Sequence, residues 1–190
     1  MKVESSHIKK LTIVIVFSAL GVALSPFSWF EFLGTKAYPT QHMINAILGV
    51  LVGPFWALIA AIFVGIIRNL LGTGTLYAFP GGIFGGIVVG IFYWLIKRFK
   101  VNGKKRLISA LTEPIGTVLV GAPIALFLMA PFLGTPRLQD LMTEQGFLLA
   151  FLIFGAGWAL SCVPGSIIGF TVLLILNRVG INRESLFGEK

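Results

Sequence analysis

Apolar residues run in long blocks over 11–26, 41–53, 54–71, 80–96, 107–133 and 146–176, and polar residues collect between them. A transmembrane β-barrel would need short alternating segments, and none occurs. Several of the blocks are long enough, or nearly so, to cross a bilayer as helices of roughly 20 residues. The pattern therefore predicts an all-α polytopic membrane protein, with a single membrane domain over residues 1–190.

Whether 41–71 is one helix or two depends on Gly53-Pro54 in its middle. Proline breaks a helix interior but is tolerated in the first turn, so the pair reads as a turn. Charge parity points the same way. With the break there are six helices, and both termini lie on one side. Lys97, Arg98, Lys100, Lys104, Lys105 and Arg106 then share that side with Lys2, Lys9, Lys10, Arg178, Arg183 and Lys190, which is 12 of the 15 basic residues. That is the positive-inside arrangement, with N- and C-termini cytoplasmic. Without the break, the six-charge loop falls outside. Helices two and three are then short, and the bilayer must thin or they fail to span it. The outer loops are 27–40, 72–80 and 134–145. Gly155, Gly157, Pro164 and Gly165 are candidate kinks in the last helix. The N-terminus resembles a signal peptide, with Lys9-Lys10, an apolar run and Ala23-Leu24-Ser25. Pro26 disfavours cleavage, so the segment is kept as the first helix.

Composition supports the membrane reading: 56% of residues are hydrophobic and 12% charged, against about 25% charged in a soluble domain. The net charge of +8 is clustered as topology requires, not as nucleic-acid binding does. Catalytic and cofactor motifs are missing. There is no G-x-x-x-x-G-K-[ST], and "GTGTLYA" has Tyr77 where a dinucleotide fingerprint needs its third glycine. Asp140 is the only aspartate, and no H-E-x-x-H occurs. His7 and His42 fall on opposite sides and cannot share a metal. Cys162 has no disulfide partner. The chain is read as a non-enzyme without cofactor or metal.

Polar side chains at membrane depth are costly and face a protein interior or a cavity. Two groups stand out. "YPTQHMIN" places Gln41, His42 and Asn45 on one helical face, next to Tyr38. "RNLLGTGTLYAFPGG" carries Arg68, Asn69, Thr73, Thr75 and Tyr77. Both fall at the outer ends of helices two and three, and together they form a candidate ligand site. For each residue alone, interfacial water, headgroup snorkelling or tight turns are an equal reading. The outer aromatics, among them Trp29, Tyr38 and Tyr77, are either an interfacial belt or a stacking wall for a planar ligand. A small neutral ring with a hydroxyl suits amides, a histidine and threonines. Glu113 falls about 9 Å into helix five from the inner side at 1.5 Å per residue. It is expected to pair with Arg106 or join an inner network, away from the outer site. Trp158 is placed near mid-membrane, as a pocket floor or a packed core residue. Ala19 and Ala23 give helix one an A-x-x-x-A face for close helix approach.

These features together resemble the substrate-binding S components of energy-coupling factor (ECF) transporters. "YPTQHMINAILGVLVGP" (38–54) and "RNLLGTGTLYAFPGG" (68–82) look like the ThiW family. The resemblance implies uptake of hydroxyethylthiazole, the thiazole precursor of thiamine, in a bacterial plasma membrane. It implies partnership with a transmembrane coupling subunit and two ATPases, with Ala19 and Ala23 forming part of the contact. Gln41, His42 and Asn45 would then bind the ring nitrogen and hydroxyl. Arg68 and Asn69 would close the floor or fix the loop, while Tyr77, Trp29 and Tyr38 enclose the ring. Thiamine or another vitamin as ligand, a small membrane enzyme, and a structural subunit are the alternatives.

Overall fold

The computed structural model describes residues 2–188, with side chains described from Ser6 onward. Lys190 and the side chain of Lys2, both assigned above to the inner side, lie outside the described residues. The order is α1 (Lys2–Leu24), β1 (Phe30–Phe32), β2 (Thr35–Ala37), α2 (Pro39–Leu51), α3 (Pro54–Leu70), α4 (Ala78–Arg98), α5 (Gly103–Leu133), α6 (Pro136–Arg178) and α7 (Arg183–Phe187). The all-α membrane bundle read from the sequence is the architecture observed. Among the described residues four helices, α1, α4, α5 and α6, contain stretches long and apolar enough to cross a bilayer. Their outward faces carry Ile15, Leu119, Leu128 and Leu160, all well exposed, as contact with lipid requires.

The Gly53-Pro54 turn forms as expected. Pro39, Pro54 and Pro136 each open a helix in its first turn, where the missing N–H has no cost. Gly53 has φ +94°, a conformation an L side chain resists. At 13 residues, α2 is about 20 Å long at 1.5 Å per residue, shorter than a bilayer core. It lies inside the bundle rather than against lipid. It packs on α6, α4, α3, α1 and the start of α5, and nearly every residue from Gln41 to Leu51 is buried. Glycines allow this approach: a Cβ at Gly169 of α6 would press on Ala46 and the Met43 carbonyl of α2.

Three features depart from the sequence reading. The outer loop 27–40 contains a hairpin, paired Phe30 with Ala37, Glu31 with Lys36 and Phe32 with Thr35. Its two-residue turn puts Leu33 and Gly34 at φ 49° and 78°, the positive-φ pair of a tight hairpin turn. The loop 134–145 is mostly helical. It begins α6, which breaks at Gly146 (φ 72°, ψ 169°) and then resumes. Finally, α5 is not a regular α-helix. It runs as a 3₁₀ stretch over Leu107–Thr112 and π-helical stretches over Ile115–Gly121 and Ile124–Met129. Pro114 and Pro123 immediately precede the two π stretches; each removes an N–H and crowds the carbonyl one turn back.

The first half of α1 and the short α7 meet at one end of the bundle. Lys9 donates to the Leu186 carbonyl at 3.3 Å, and Lys10 lies over the Phe187 ring at 4.9 Å. Arg106, just before the 3₁₀ stretch of α5, pairs with Glu184 at 3.1 Å. Arg106, the last residue of the six-charge segment, therefore shares that end with Lys9, Lys10 and α7.

Candidate ligand-binding cleft

At the opposite end, β2, the first turn of α2, the end of α3, the start of α4 and the middle of α6 enclose a cleft. Its wall includes Lys36, Tyr38, Gln41, His42, Arg68 and Tyr77, with Gly81, Gly82, Trp158 and Ser161. The two sequence clusters, from the start of α2 and the end of α3, meet across it.

Arg68 is 1% exposed and lies over the Tyr38 ring, 3.9 Å from its centroid. A desolvated cation on an aromatic face is held by the ring quadrupole. The same guanidinium donates from Nη2 to the Thr73 carbonyl at 3.0 Å, and the Thr73 and Gly74 N–H groups donate back to the Arg68 carbonyl. Arg68 thus both lines the cleft and closes the loop after α3. Burial pushes the Tyr38 phenol above its ordinary pKa, so at neutral pH it keeps its proton and donates to the Gly21 carbonyl of α1. The Tyr77 hydroxyl bonds to Thr135, and Trp158 packs its ring against Phe154 at 5.0 Å.

Behind His42 lies a residue the sequence reading placed elsewhere. Glu113 is fully buried; its Oε1 lies 2.7 Å from His42 Nδ1, accepts from Asn45 Nδ2 at 3.1 Å, and shares the Thr117 hydroxyl proton, at 2.8 Å, with the Gly81 carbonyl at 3.0 Å. Gln41 Nε2 donates in turn to Asn45 Oδ1 at 3.1 Å. A Cβ at Gly85 would fall on Glu113 Oε1, so only glycine there admits the carboxylate. The expected pairing of Glu113 with Arg106 is overturned, because Arg106 turns to Glu184. The depth estimate assumed a regular α-helix. The 3₁₀ stretch before Glu113 rises about 2.0 Å per residue, which carries the carboxylate further in, to the first two turns of the short α2.

The remaining sequence candidates sit near the cleft but do not line it. Asn45 is one layer back, against Glu113. Asn69 spends its amide on the Gly65 and Thr75 carbonyls, at 2.8 and 3.2 Å. Thr73 pairs with Ser25 at 2.9 Å, and the buried hydroxyl of Thr75 has no partner among the described residues. Trp29 stands on the outer surface beneath the Lys36 ammonium, 4.6 Å from its ring centroid. Ala19 and Ala23 are exposed on the outer face of α1, whereas Val14, Ser18, Gly21 and Ser25 turn inward. Lys36 and Ser161 were not singled out; a lysine in a loop and a serine in an apolar run carry no local signal. Three cleft-lining side chains keep buried polar atoms without a partner among the described residues: Gln41 Oε1, Arg68 Nε and Ser161 Oγ. Each such atom costs about 1–3 kcal/mol until something bonds to it, which a ligand or water in the cleft can do.

A family model described as thiamine-precursor transporter protein (ThiW) matches residues 11–179, most of the chain and all of the cleft. No match is found among curated proteins or among solved structures. ThiW is a transporter family rather than an enzyme family, in keeping with a multi-pass bundle that holds a small enclosed cleft. The chain belongs to the ThiW family of thiamine-precursor transporters.

Proposed function

We propose that this chain is the substrate-binding subunit of an ECF-type importer in a bacterial plasma membrane, taking hydroxyethylthiazole from the outer side. The observation that carries the reading is the cleft at the end of the bundle away from the basic loop and termini. Under the positive-inside rule that end faces outward. The cleft combines aromatic walls, Tyr38, Tyr77 and Trp158, with a few convergent polar groups, Gln41, His42 and Arg68, as a small-molecule site does.

Charge favours a neutral precursor over thiamine itself. Thiamine carries a fixed positive charge on its thiazolium ring. Arg68 and Lys36 line the cleft, and the carboxylate of Glu113 is screened from it behind His42. A cation placed there meets two like charges without a facing counter-charge.

The chain carries no ATP-binding motif, so import needs a partner. The exposed Ala19 and Ala23 face of α1 supports docking of a coupling subunit that itself holds two ATPases. Cells expressing this chain with a coupling module should accumulate labelled hydroxyethylthiazole in an ATP-dependent way. Accumulation unchanged when the module is omitted would rule out the ECF reading.

Thr35, Lys36 and Ala37 of the hairpin form one wall of the cleft.

A further inference from the structure

The donors and acceptors around Glu113 settle which nitrogen of His42 carries its proton. Asn45 accepts from Gln41 through Oδ1 and therefore offers Nδ2, a pure donor, to Glu113 Oε1. Thr117 also approaches Oε1 with its hydroxyl. With these two donors and His42 gathered on it, Oε1 acts as the unprotonated oxygen, that of a carboxylate or of a carboxyl protonated on Oε2, and such an oxygen can only accept. His42 Nδ1, 2.7 Å from the same oxygen, must then be the donor, and Nδ1 holds the hydrogen. The protonation of one ring nitrogen is set by the bond the other makes. His42 Nε2 is left as a lone-pair acceptor, and it bonds to none of the described residues. Of the three side chains that meet Glu113 Oε1, His42 is the one that lines the cleft.

We propose that Glu113 is a positioning residue that fixes His42 as a hydrogen-bond acceptor toward the ligand, so that the cleft selects small molecules presenting a hydroxyl or N–H donor at that point. The opposite wall has the reverse polarity, since Arg68 and Lys36 can only donate. The cleft is therefore a polarised slot, with an acceptor at the α2 wall and donors at the α3 and β2 walls. A heteroaromatic ring with an acceptor nitrogen and a hydroxyalkyl arm fits this order. The ligand half of the proposal rests on the thiazole-precursor reading; the His42 half does not.

Two measurements separate them. The chain has two histidines, so ¹⁵N-histidine NMR of the ligand-free protein at neutral pH, with His7→Gln for assignment, reads His42 directly. A single Nδ1–H tautomer is expected. It is kept in Glu113→Gln, whose amide oxygen still accepts, and lost to the Nε2–H form or a mixture in Glu113→Leu. An Nε2–H or doubly protonated His42 in the unmutated protein, or an unchanged tautomer in Glu113→Leu, would overturn the proposal. In the second measurement, hydroxyethylthiazole is compared with its O-methyl ether, which accepts but cannot donate. The ether should bind about tenfold more weakly to the unmutated protein, the effect of one unpaired polar contact. Equal binding of the two also overturns the proposal. Absence of binding by either, with the Nδ1–H tautomer present, removes the thiazole reading and leaves the role of Glu113 supported. Neither readout on the unmutated protein depends on Glu113→Leu folding.

Discussion

Gly85 shows how much of the cleft depends on a missing side chain. Alanine there would set its Cβ against Glu113 Oε1 and within 2.7 Å of Thr117 Oγ1. Gly85→Ala is expected to displace the carboxylate, release His42 and weaken ligand binding by about tenfold or more, the effect of losing one buried charged hydrogen bond; a binding titration checks this. Arg68→Lys is expected to lower stability by about 1 kcal/mol. An ammonium cannot both lie flat on the Tyr38 ring and donate in-plane to the Thr73 carbonyl; thermal unfolding in detergent reads the loss. At this scale the sequence was informative where polar residues cluster locally. Gln41, His42 and Asn45 declare themselves by helical spacing, and Arg68 by being the lone arginine of an apolar run. Glu113 did not, because His42 and Asn45 lie 71 and 68 residues away in the chain and its depth depends on irregular helix geometry that spacing alone does not reveal.

The elements divide in the same way. The break between α2 and α3 is written in Gly53-Pro54, since a left-handed glycine followed by proline has few other uses. Gly53→Ala forces an L side chain to φ +94° and is expected to cost about 1–2 kcal/mol, visible as a lower melting temperature with ligand selectivity unchanged. The hairpin over 30–37 was hidden. Three-residue strands are too short to show alternation, and leucine is an unusual choice for a positive-φ turn. Phe32 of β1 nests in the notch left by Gly157 of α6, where a Cβ would overlap its ring. That contact anchors the hairpin over the cleft. Phe32→Ala should loosen it and raise the ligand dissociation rate more than the association rate, measured by stopped-flow tryptophan fluorescence. Equal changes in both rates would remove the hairpin from the binding step.

Across the whole molecule, the bundle was legible because bilayers force apolar length into the sequence. The burial of α2 was less so, since a 13-residue apolar helix reads equally as a short span or a buried core element. The partner face is the global claim to test by assembly. Ala19→Leu with Ala23→Leu adds bulk to an already exposed face of α1. It should reduce co-purification of a coupling subunit while leaving ligand affinity intact; full co-purification would clear α1 of that role. The central claim is that the cleft between α2, α3, α4 and α6 holds a neutral thiamine precursor. Equilibrium dialysis of the purified chain against labelled hydroxyethylthiazole and labelled thiamine tests it most directly. Saturable binding of the thiazole, lost in His42→Ala and only weakly competed by thiamine, is the expected result; no saturable thiazole binding together with tight thiamine binding would contradict it.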